Sequence, residues 1–278
     1  MKFSPGGFVG TLALLAGSVL TGSVLGAPVQ AHAQDSKQLL STLLEHEEAA
    51  NEHRGRYTYV SEERSDRTDG RLWQEKVVET QQGRVRFLLK EDGQPLSADR
   101  IQQERGRLAQ DALHPEDFAR REAAQKNDEE HAKQMLQLLP KAFLFDPPAV
   151  EGLYTRIRFR PNPDYQPQSI EERVLHGMTG SVLIDRKMIR LREVAGNMPE
   201  DVSLGFGPFA IIRSGSNFST QRLHADGNDW KTETVHTDIN GKALFMKNLA
   251  RKQEVKRWGY KKIGDNLSVS DAVTMAEQ

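Results

Sequence analysis

Residues 153–160 read Leu-Tyr-Thr-Arg-Ile-Arg-Phe-Arg, with apolar and mostly basic side chains in alternation. Ile157 and Phe159 fall on one side of this pattern, and arginines fall on the other. Successive side chains of a β-strand point to opposite faces of the sheet. The period of two therefore predicts a strand with one buried face and one wet face.

The same alternation recurs on both sides of this stretch. Phe87 and Leu89 alternate with basic residues in the last strand of a predicted three-strand meander. Later in the chain Asn240-Gly241 predicts a tight type I′ hairpin, because both residues tolerate positive φ. The predicted strands of the second half lie at 153–160, 171–176, 180–185, 188–195, 201–206, 209–213, 217–225, 229–239, 242–249 and 253–262. The sequence thus predicts a mainly β chain of roughly a dozen antiparallel strands.

Two parts of the chain favour helix instead. Residues 36–53 carry leucines at helical spacing, and residues 97–139 are rich in Glu, Gln, Arg, Lys and Ala with few β-branched side chains. Pro115 divides the second part, because proline fits the first turn of a helix but not its interior. We therefore expect inserted helices at about 98–112 and 115–138.

The N-terminus has the three parts of a Sec-type signal peptide. Residues 1–33 combine a basic start, an apolar run over 8–25 and the small residues Ala31-His32-Ala33, which fit a signal peptidase. A cut after Ala27 and a permanent membrane anchor are the alternatives. We expect the mature chain to begin at Gln34, to have no stable transmembrane span after cleavage, and to be periplasmic or secreted.

Composition narrows the classes of function. The chain has no cysteine, which rules out disulfides, thiolate metal sites, cysteine nucleophiles and lipoprotein acylation. Its net charge of −1 gives no global signal for nucleic acid or an anionic membrane. Cleavage leaves about 245 residues, enough for one large or two small domains. We favour a single domain over 34–262, followed by a flexible, frayed tail at 263–278.

No motif supplies a catalytic set. The segment His46-Glu47-Glu48-Ala49-Ala50 begins like a zinc-protease helix, but alanine replaces the second histidine that the metal requires. His224 and His236 lie on two predicted neighbouring strands, where they form either a metal-binding pair or ordinary surface contacts. We therefore expect no enzyme, no metal site and no cofactor.

Two other segments have alternative interpretations. Residues 251–262 mix six basic residues with Trp258 and Tyr260, a pattern seen in single-stranded nucleic acid binding. In an exported protein of near-zero charge, a solvated strand with inward aromatic side chains is the better interpretation, and nucleic acid is not an expected partner. Phe206 and Phe209 lie in a kinked Gly-Phe-Gly-Pro-Phe tip. This tip is either folded onto the core or forms an apolar lip beside a ligand cavity.

The order of elements resembles the LolA-like half-barrels, the periplasmic lipoprotein carriers and the RseB-type sensor domains. The sequence that carries the resemblance is the predicted hairpin formed by Gly177-Met178-Thr179-Gly180-Ser181-Val182-Leu183-Ile184-Asp185 and Lys187-Met188-Ile189-Arg190-Leu191-Arg192-Glu193. It is similar to the "strand, Ile-Asp, turn, Ile-Arg-Leu" hairpin of that group. The resemblance implies a curved antiparallel half-barrel sheet of about eleven strands, partly covered by helices.

The resemblance also implies a function. An open, curved sheet leaves a concave apolar face that helices or a ligand must fill. The expected ligand is a lipid or a lipoprotein acyl chain, held by a carrier or sensor. A structural or protein-interaction module of the envelope is the alternative, and an enzyme with an unrecognised site is the third. We expect ligand-binding side chains at Phe87, Leu89, Ile157, Phe159, Phe206 and Phe209, and a movable lid anchored by Met135, Leu136, Leu138 and Leu139.

Overall fold

The computed structural model describes residues 27–204, 210–243 and 250–278, with side chains except at 27–34, 124–132 and 243. The helices are α1 (Ala27–Glu52), α2 (Ala98–Leu113), α3 (Pro115–Ala142), α4 (Ile170–His176) and α5 (Val269–Glu277), with a 3-10 turn, η1, at Asp66–Thr68. The strands are β1 (Arg56–Arg64), β2 (Trp73–Glu79), β3 (Arg84–Glu91), β4 (Gln94–Pro95), β5 (Phe143–Phe145), β6 (Ala149–Glu151), β7 (Tyr154–Pro161), β8 (Thr179–Asp185), β9 (Arg190–Asn197), β10 (Val202–Ser203), β11 (Ala210–Ile212), β12 (Asn217–Asp226), β13 (Asp229–Ile239), β14 (Gly241–Ala243) and β15 (Arg251–Ile263).

Twelve of these strands form one antiparallel sheet in the order β4-β3-β2-β1-β15-β13-β12-β9-β8-β7-β5, with β6 paired to β7. In the interior of the sheet, β1 pairs with β15. Their register runs from Arg56 opposite Ile263 to Arg64 opposite Glu254. Strands from the two ends of the chain are therefore neighbours at the centre of the sheet. The predicted class, mainly β with a curved antiparallel sheet and inserted helices, is confirmed.

The strand at 153–160 follows its side-chain alternation. Ile157 and Phe159 are buried in β7, whereas Arg158 and Arg160 are exposed. The two expected inserted helices are also present as α2 and α3. Ser97 caps the first of them, because its side chain accepts a hydrogen bond from the Arg100 amide.

Helices cover the two ends of the sheet on opposite faces, since Val78 of β2 packs on the α5 side while its neighbour Val77 packs with Tyr59 on the other face. One apolar cluster, here the α1 cluster, joins α1 and α3 to β5 and β7–β9 through Leu40, Leu43, Leu139, Ala142, Phe143, Phe145, Ile157, Phe159, Val182, Ile184 and Leu191. The other, the α5 cluster, joins α2, α5 and the start of α3 to β2 and β3 through Val78, Val85, Phe87, Leu108, Phe118, Val269, Ala272, Val273 and Ala276. Burial of these side chains supplies the main apolar stabilisation of each end.

The expectation of a frayed C-terminal tail was wrong. Residues 269–277 form α5, whose first turn is capped by the Ser268 side chain. Val269, Ala272, Val273 and Ala276 recur at helical spacing and are all at most 8% exposed. The segment is ordered because this narrow apolar stripe packs on β3 and α2.

Two local predictions of the second half were also wrong. Asn240-Gly241 does not join two paired strands, because β14 leaves β13 and pairs with β11 in a separate three-stranded sheet. The predicted strand at 171–176 is helix α4, which Ser169 caps through the amide of Glu172. None of the helices in the described ranges is long and apolar enough to cross a membrane.

Candidate ligand-binding cavity

A cavity of about 1020 Å³ lies over the middle of the sheet. Its floor comes from β1, β2, β9, β12, β13 and β15, and α1 and α3 close one side through Leu44 and Leu136. Leu191 of β9 belongs both to this wall and to the α1 cluster, whereas Val77 of β2 lines the cavity and its neighbour Val78 belongs to the α5 cluster. The cavity therefore lies on the face that α1 and α3 partly cover, and the α5 cluster packs on the opposite face.

The walls of this cavity are charged rather than uniformly apolar. Of the described residues that line it, eleven are basic and seven are acidic. Tyr59, Trp230 and Tyr260 add aromatic surface, and Leu136 and Leu191 add aliphatic surface on the side of α1 and α3. Such a wall suits a ligand that has both an apolar part and an anionic part.

Glu47 ties α1 to the sheet at one side of the cavity. Its carboxylate accepts hydrogen bonds from Nε of Arg190 at 2.9 Å, from Nη1 of Arg222 at 2.6 Å and from the Leu191 amide at 2.9 Å. Burial alone raises the pKa of Glu47, but the hydrogen bond from Arg190 and the charge of Arg222 bring that pKa below its ordinary value. The group is thus an ionised carboxylate shared by two arginines.

Arg67 neutralises two buried carboxylates on the opposite side. Its Nη2 atom lies 2.8 Å from Oε2 of Glu63 and 2.6 Å from Oε2 of Glu75. Ser65 donates a third hydrogen bond, from Oγ to Glu63 at 2.6 Å. Burial raises the pKa of Glu63, and the contacts with Arg67 more than offset this, so the pKa lies below its ordinary value.

Lys231 occupies the far end of the floor, where it is only 7% exposed. Its Nζ atom donates to the Gly55 carbonyl at 3.0 Å, lies 3.2 Å from Glu79 and sits 4.3 Å above the ring of Tyr57. Tyr57 in turn donates its hydroxyl hydrogen to Asp229 at 2.8 Å. Burial lowers the pKa of Lys231 by more than the charge of Glu79 raises it.

Arg257 and Tyr260 project into the cavity from β15. They are three residues apart, a spacing that a regular strand would place on opposite faces. Gly259 has a φ of 69° and the β1–β15 register shifts beside it, so a bulge turns both side chains to the same side. The Arg257 guanidinium lies 5.7 Å from the ring centre of Tyr59, and its Nε atom is buried without a hydrogen-bond partner. Trp230 Nε1 is likewise buried and unpartnered.

Most of the expected ligand-binding residues lie outside this cavity. Phe87 and Leu89 pack in or against the α5 cluster, and Ile157 and Phe159 belong to the α1 cluster. Phe159 also lines a second cavity of about 610 Å³ beside β7, β8, β9 and β12. Phe206 and Phe209 lie outside the described residues.

The expected lid residues divide between core and cavity. Leu139 is 3% exposed within the α1 cluster, and Leu136 and Leu138 pack against that cluster. Leu136 also lines the central cavity, and Met135 is half-buried. The end of α3 therefore contacts the apolar core, while its movement stays a prediction.

The interpretation of segment 251–262 missed Arg257. We expected its basic residues to be solvated and only its aromatic side chains to face inward. The one available signal was Gly259 beside two aromatic residues, because a glycine within a strand pattern is typical of a bulge.

The histidines of β12 and β13 do not form the metal-binding pair that the sequence left open. His224 lies opposite Trp230 and His236 lies opposite Ser219, so these histidines do not pair. Among the described residues no group of three or more His, Asp or Glu side chains is placed to hold a metal ion.

Comparison with protein-family models, with curated proteins and with solved structures finds no match to this chain.

Proposed function

We propose that this protein is an exported, LolA-like, non-enzymatic envelope protein that binds an apolar or amphipathic ligand as a carrier or sensor. The observation that carries the proposal is the cavity of about 1020 Å³ between the sheet and helices α1 and α3. Small-molecule sites usually have volumes of about 300–1000 Å³. The cavity is thus large enough for a chain-bearing molecule such as a lipid.

The distribution of side chains supports an amphipathic ligand over a purely apolar one. Leu44, Leu136 and Leu191 offer aliphatic contact on the side of α1 and α3. Tyr59 and Arg257 offer aromatic and cationic contact at the centre of the floor. A ligand with its chain against α3 and its polar end over β15 would match both parts.

The lid remains part of this proposal. Ile157 is 0% exposed within the α1 cluster, so an acyl chain reaches it only if α1 and α3 move away. Burying one large apolar side chain contributes about 1.5–3 kcal/mol. A ligand that buries an area similar to that of Leu136 and Leu139 would offset the cost of displacing the end of α3.

Native mass spectrometry of the protein isolated from its producing cell tests the proposal. We expect a mature chain that begins at Gln34 and carries an extra mass, which lipid extraction removes and identifies. A denatured aliquot of the same preparation provides the control. A chain that carries no extra mass and binds no apolar dye would contradict ligand binding, and a retained residue 1 would contradict export.

The alternative is a structural or protein-interaction module of the envelope. The observation that favours it is an exposed apolar pair beside the β6–β7 turn, where Val150 is 65% exposed and Leu153 is 76% exposed. In that case, replacing both side chains with serine would abolish cross-linking to an envelope protein. The same change would leave the central cavity unaltered.

A further inference from the structure

Arg257 has an unusual position among the cations of the cavity. It is half-buried on β15, opposite Ser61 of β1, at the centre of the sheet. Resting on the proposed function, we propose that Arg257 anchors an oxyanion head group. The cavity then takes an acidic amphiphile, a hydrocarbon chain that ends in a carboxylate or a phosphate.

Four other cations of the floor are already neutralised by carboxylates. Arg67 lies 2.6 Å from Glu75, and Lys231 lies 3.2 Å from Glu79. Arg190 and Arg222 lie 2.9 Å and 2.6 Å from the carboxylate of Glu47. These groups hold the protein together and have little capacity left for a ligand anion.

Arg257 differs because, within the described ranges, it has no salt bridge to a carboxylate at 4.0 Å or less. Glu63 is near enough for the charge of Arg257 to lower its pKa, yet Glu63 already binds Arg67 and Ser65. A half-buried guanidinium with a buried Nε atom and no paired carboxylate is stabilised less than a paired one, and a ligand oxyanion would supply that pair.

Unused hydrogen-bond donors point the same way. Nε of Arg257 and Nε1 of Trp230 are both buried in residues that line the cavity, and neither has an acceptor. Native proteins satisfy nearly all buried donors, so two exceptions among the residues of one cavity call for acceptors from outside the chain. An oxyanion is an acceptor at every oxygen.

Aromatic rings beside Arg257 favour an amphiphile over a free anion. The ring of Tyr59 lies under the guanidinium, and Tyr260 stacks against Tyr59 with ring centres 4.7 Å apart. Tyr260 is fixed by its hydroxyl, which donates to the Thr232 carbonyl at 2.5 Å. These rings offer apolar surface to the first carbons of a chain, and Leu136 continues that surface on α3.

The test compares three probes of equal chain length, namely decanoate, decyl phosphate and decanol. Binding to the full exported chain is measured by displacement of an apolar fluorescent dye. We expect one or both acids to bind about tenfold or more tightly than decanol, the usual effect of a hydrogen bond to a charged group. High salt should reduce this preference, because screening weakens the attraction of the cation for the acid.

Variants assign the effect to one side chain. Arg257→Gln should remove the preference for the acids, and Arg257→Lys should keep part of it. Lys261→Gln provides the matched control, since Lys261 is an exposed cation on the same strand and does not line the cavity. It should change none of the three affinities by more than about twofold.

Each outcome has a distinct meaning. Equal binding of acids and decanol by the wild type, or an equal loss of all three in Arg257→Gln, would overturn the anchor and leave the proposed function standing. Failure of all three probes to bind would overturn both. If Arg257→Gln does not fold, the acid-to-alcohol ratio of the wild type and the Arg257→Lys variant still decide the matter. The ratio of decyl phosphate to decanoate then identifies the head group.

Discussion

Replacing Glu47 with alanine should destabilise the whole protein. The change leaves the guanidinium of Arg190, which is 3% exposed, without its carboxylate, and it also removes the partner of Arg222. Breaking a buried ion pair from one side usually costs about 3–5 kcal/mol. We expect a value near the lower end, about 3 kcal/mol, because the Asn228 carbonyl still accepts a hydrogen bond from Arg190 at 2.6 Å.

Urea and thermal unfolding followed by circular dichroism measure this effect. In a domain of this size each kcal/mol lowers the melting temperature by roughly 2–4 °C, so we expect a decrease of about 6–12 °C. Glu48→Ala provides the control on the same helix. Glu48 is 56% exposed and pairs with Lys133 at 3.3 Å, so its loss should cost less than about 1 kcal/mol.

The pH dependence gives a second readout. The pKa of Glu47 is lower in the folded protein than its ordinary value of 4.5, so its contribution to stability is full above that value. The contribution is lost as the pH falls through the folded pKa. The difference in unfolding free energy between wild type and Glu47→Gln should therefore shrink on acidification from pH 7 to about 3. A constant difference over this range, or equal losses in the Glu47 and Glu48 alanine variants, would refute the reasoning.

Three further changes, and a control glycine variant, test the packing of the sheet and helices. Gly180→Ala should cost about 1–3 kcal/mol in urea unfolding, because its Cβ would lie 2.0 Å from the Ala195 carbonyl oxygen. Gly264→Ala, where a Cβ meets nothing within 4 Å, should stay within about 0.5 kcal/mol of wild type. Leu139→Ala should lower the free energy of unfolding by about 2–5 kcal/mol, since the side chain is 3% exposed in the α1 cluster. The whole fold should then melt at a lower temperature, and a loosening of α3 alone would contradict that placement. Deleting residues 265–278 should uncover the rest of the α5 cluster, which should increase the binding of an apolar dye and lower the melting temperature. An unchanged melting temperature would show that α5 does not stabilise the core.

Patterns with a strong period could be predicted from the sequence. The alternation of Ile157 and Phe159 with arginines gave β7, and the composition of 97–139 gave the two inserted helices. Short elements could not be predicted, because few residues carry their signal. Helix α5 spans nine residues, and its buried face includes two alanines, which add little apolar signal. The hairpin prediction at Asn240-Gly241 was wrong because β14 pairs with β11, and this long-range pairing outweighs the local preference for a tight turn.

The cavity could not be predicted, because it is assembled from distant parts of the chain. Glu47 meets Arg190 across 143 positions and Arg222 across 175 positions. These contacts depend on the order of strands in the sheet, and a sequence pattern gives strands but not their order. The pairing of β1 with β15 brings Tyr59 beside Tyr260 and Arg257 in the same way.

The charged floor explains why the cavity is open in the first place. Helices α1 and α3 cover one end of the sheet and α2 and α5 cover the other, and both ends supply apolar side chains to meet them. On the cavity face, η1, β2 and β13 present Arg67, Glu75 and Lys231 instead, so an apolar helix face there would leave charges without water. Because these charges are already paired, the shape of the floor is set before a ligand arrives, and binding does not have to order it. In the proposed function, recognition then depends on two buried donors of the described cavity residues that have no acceptor, Nε of Arg257 and Nε1 of Trp230.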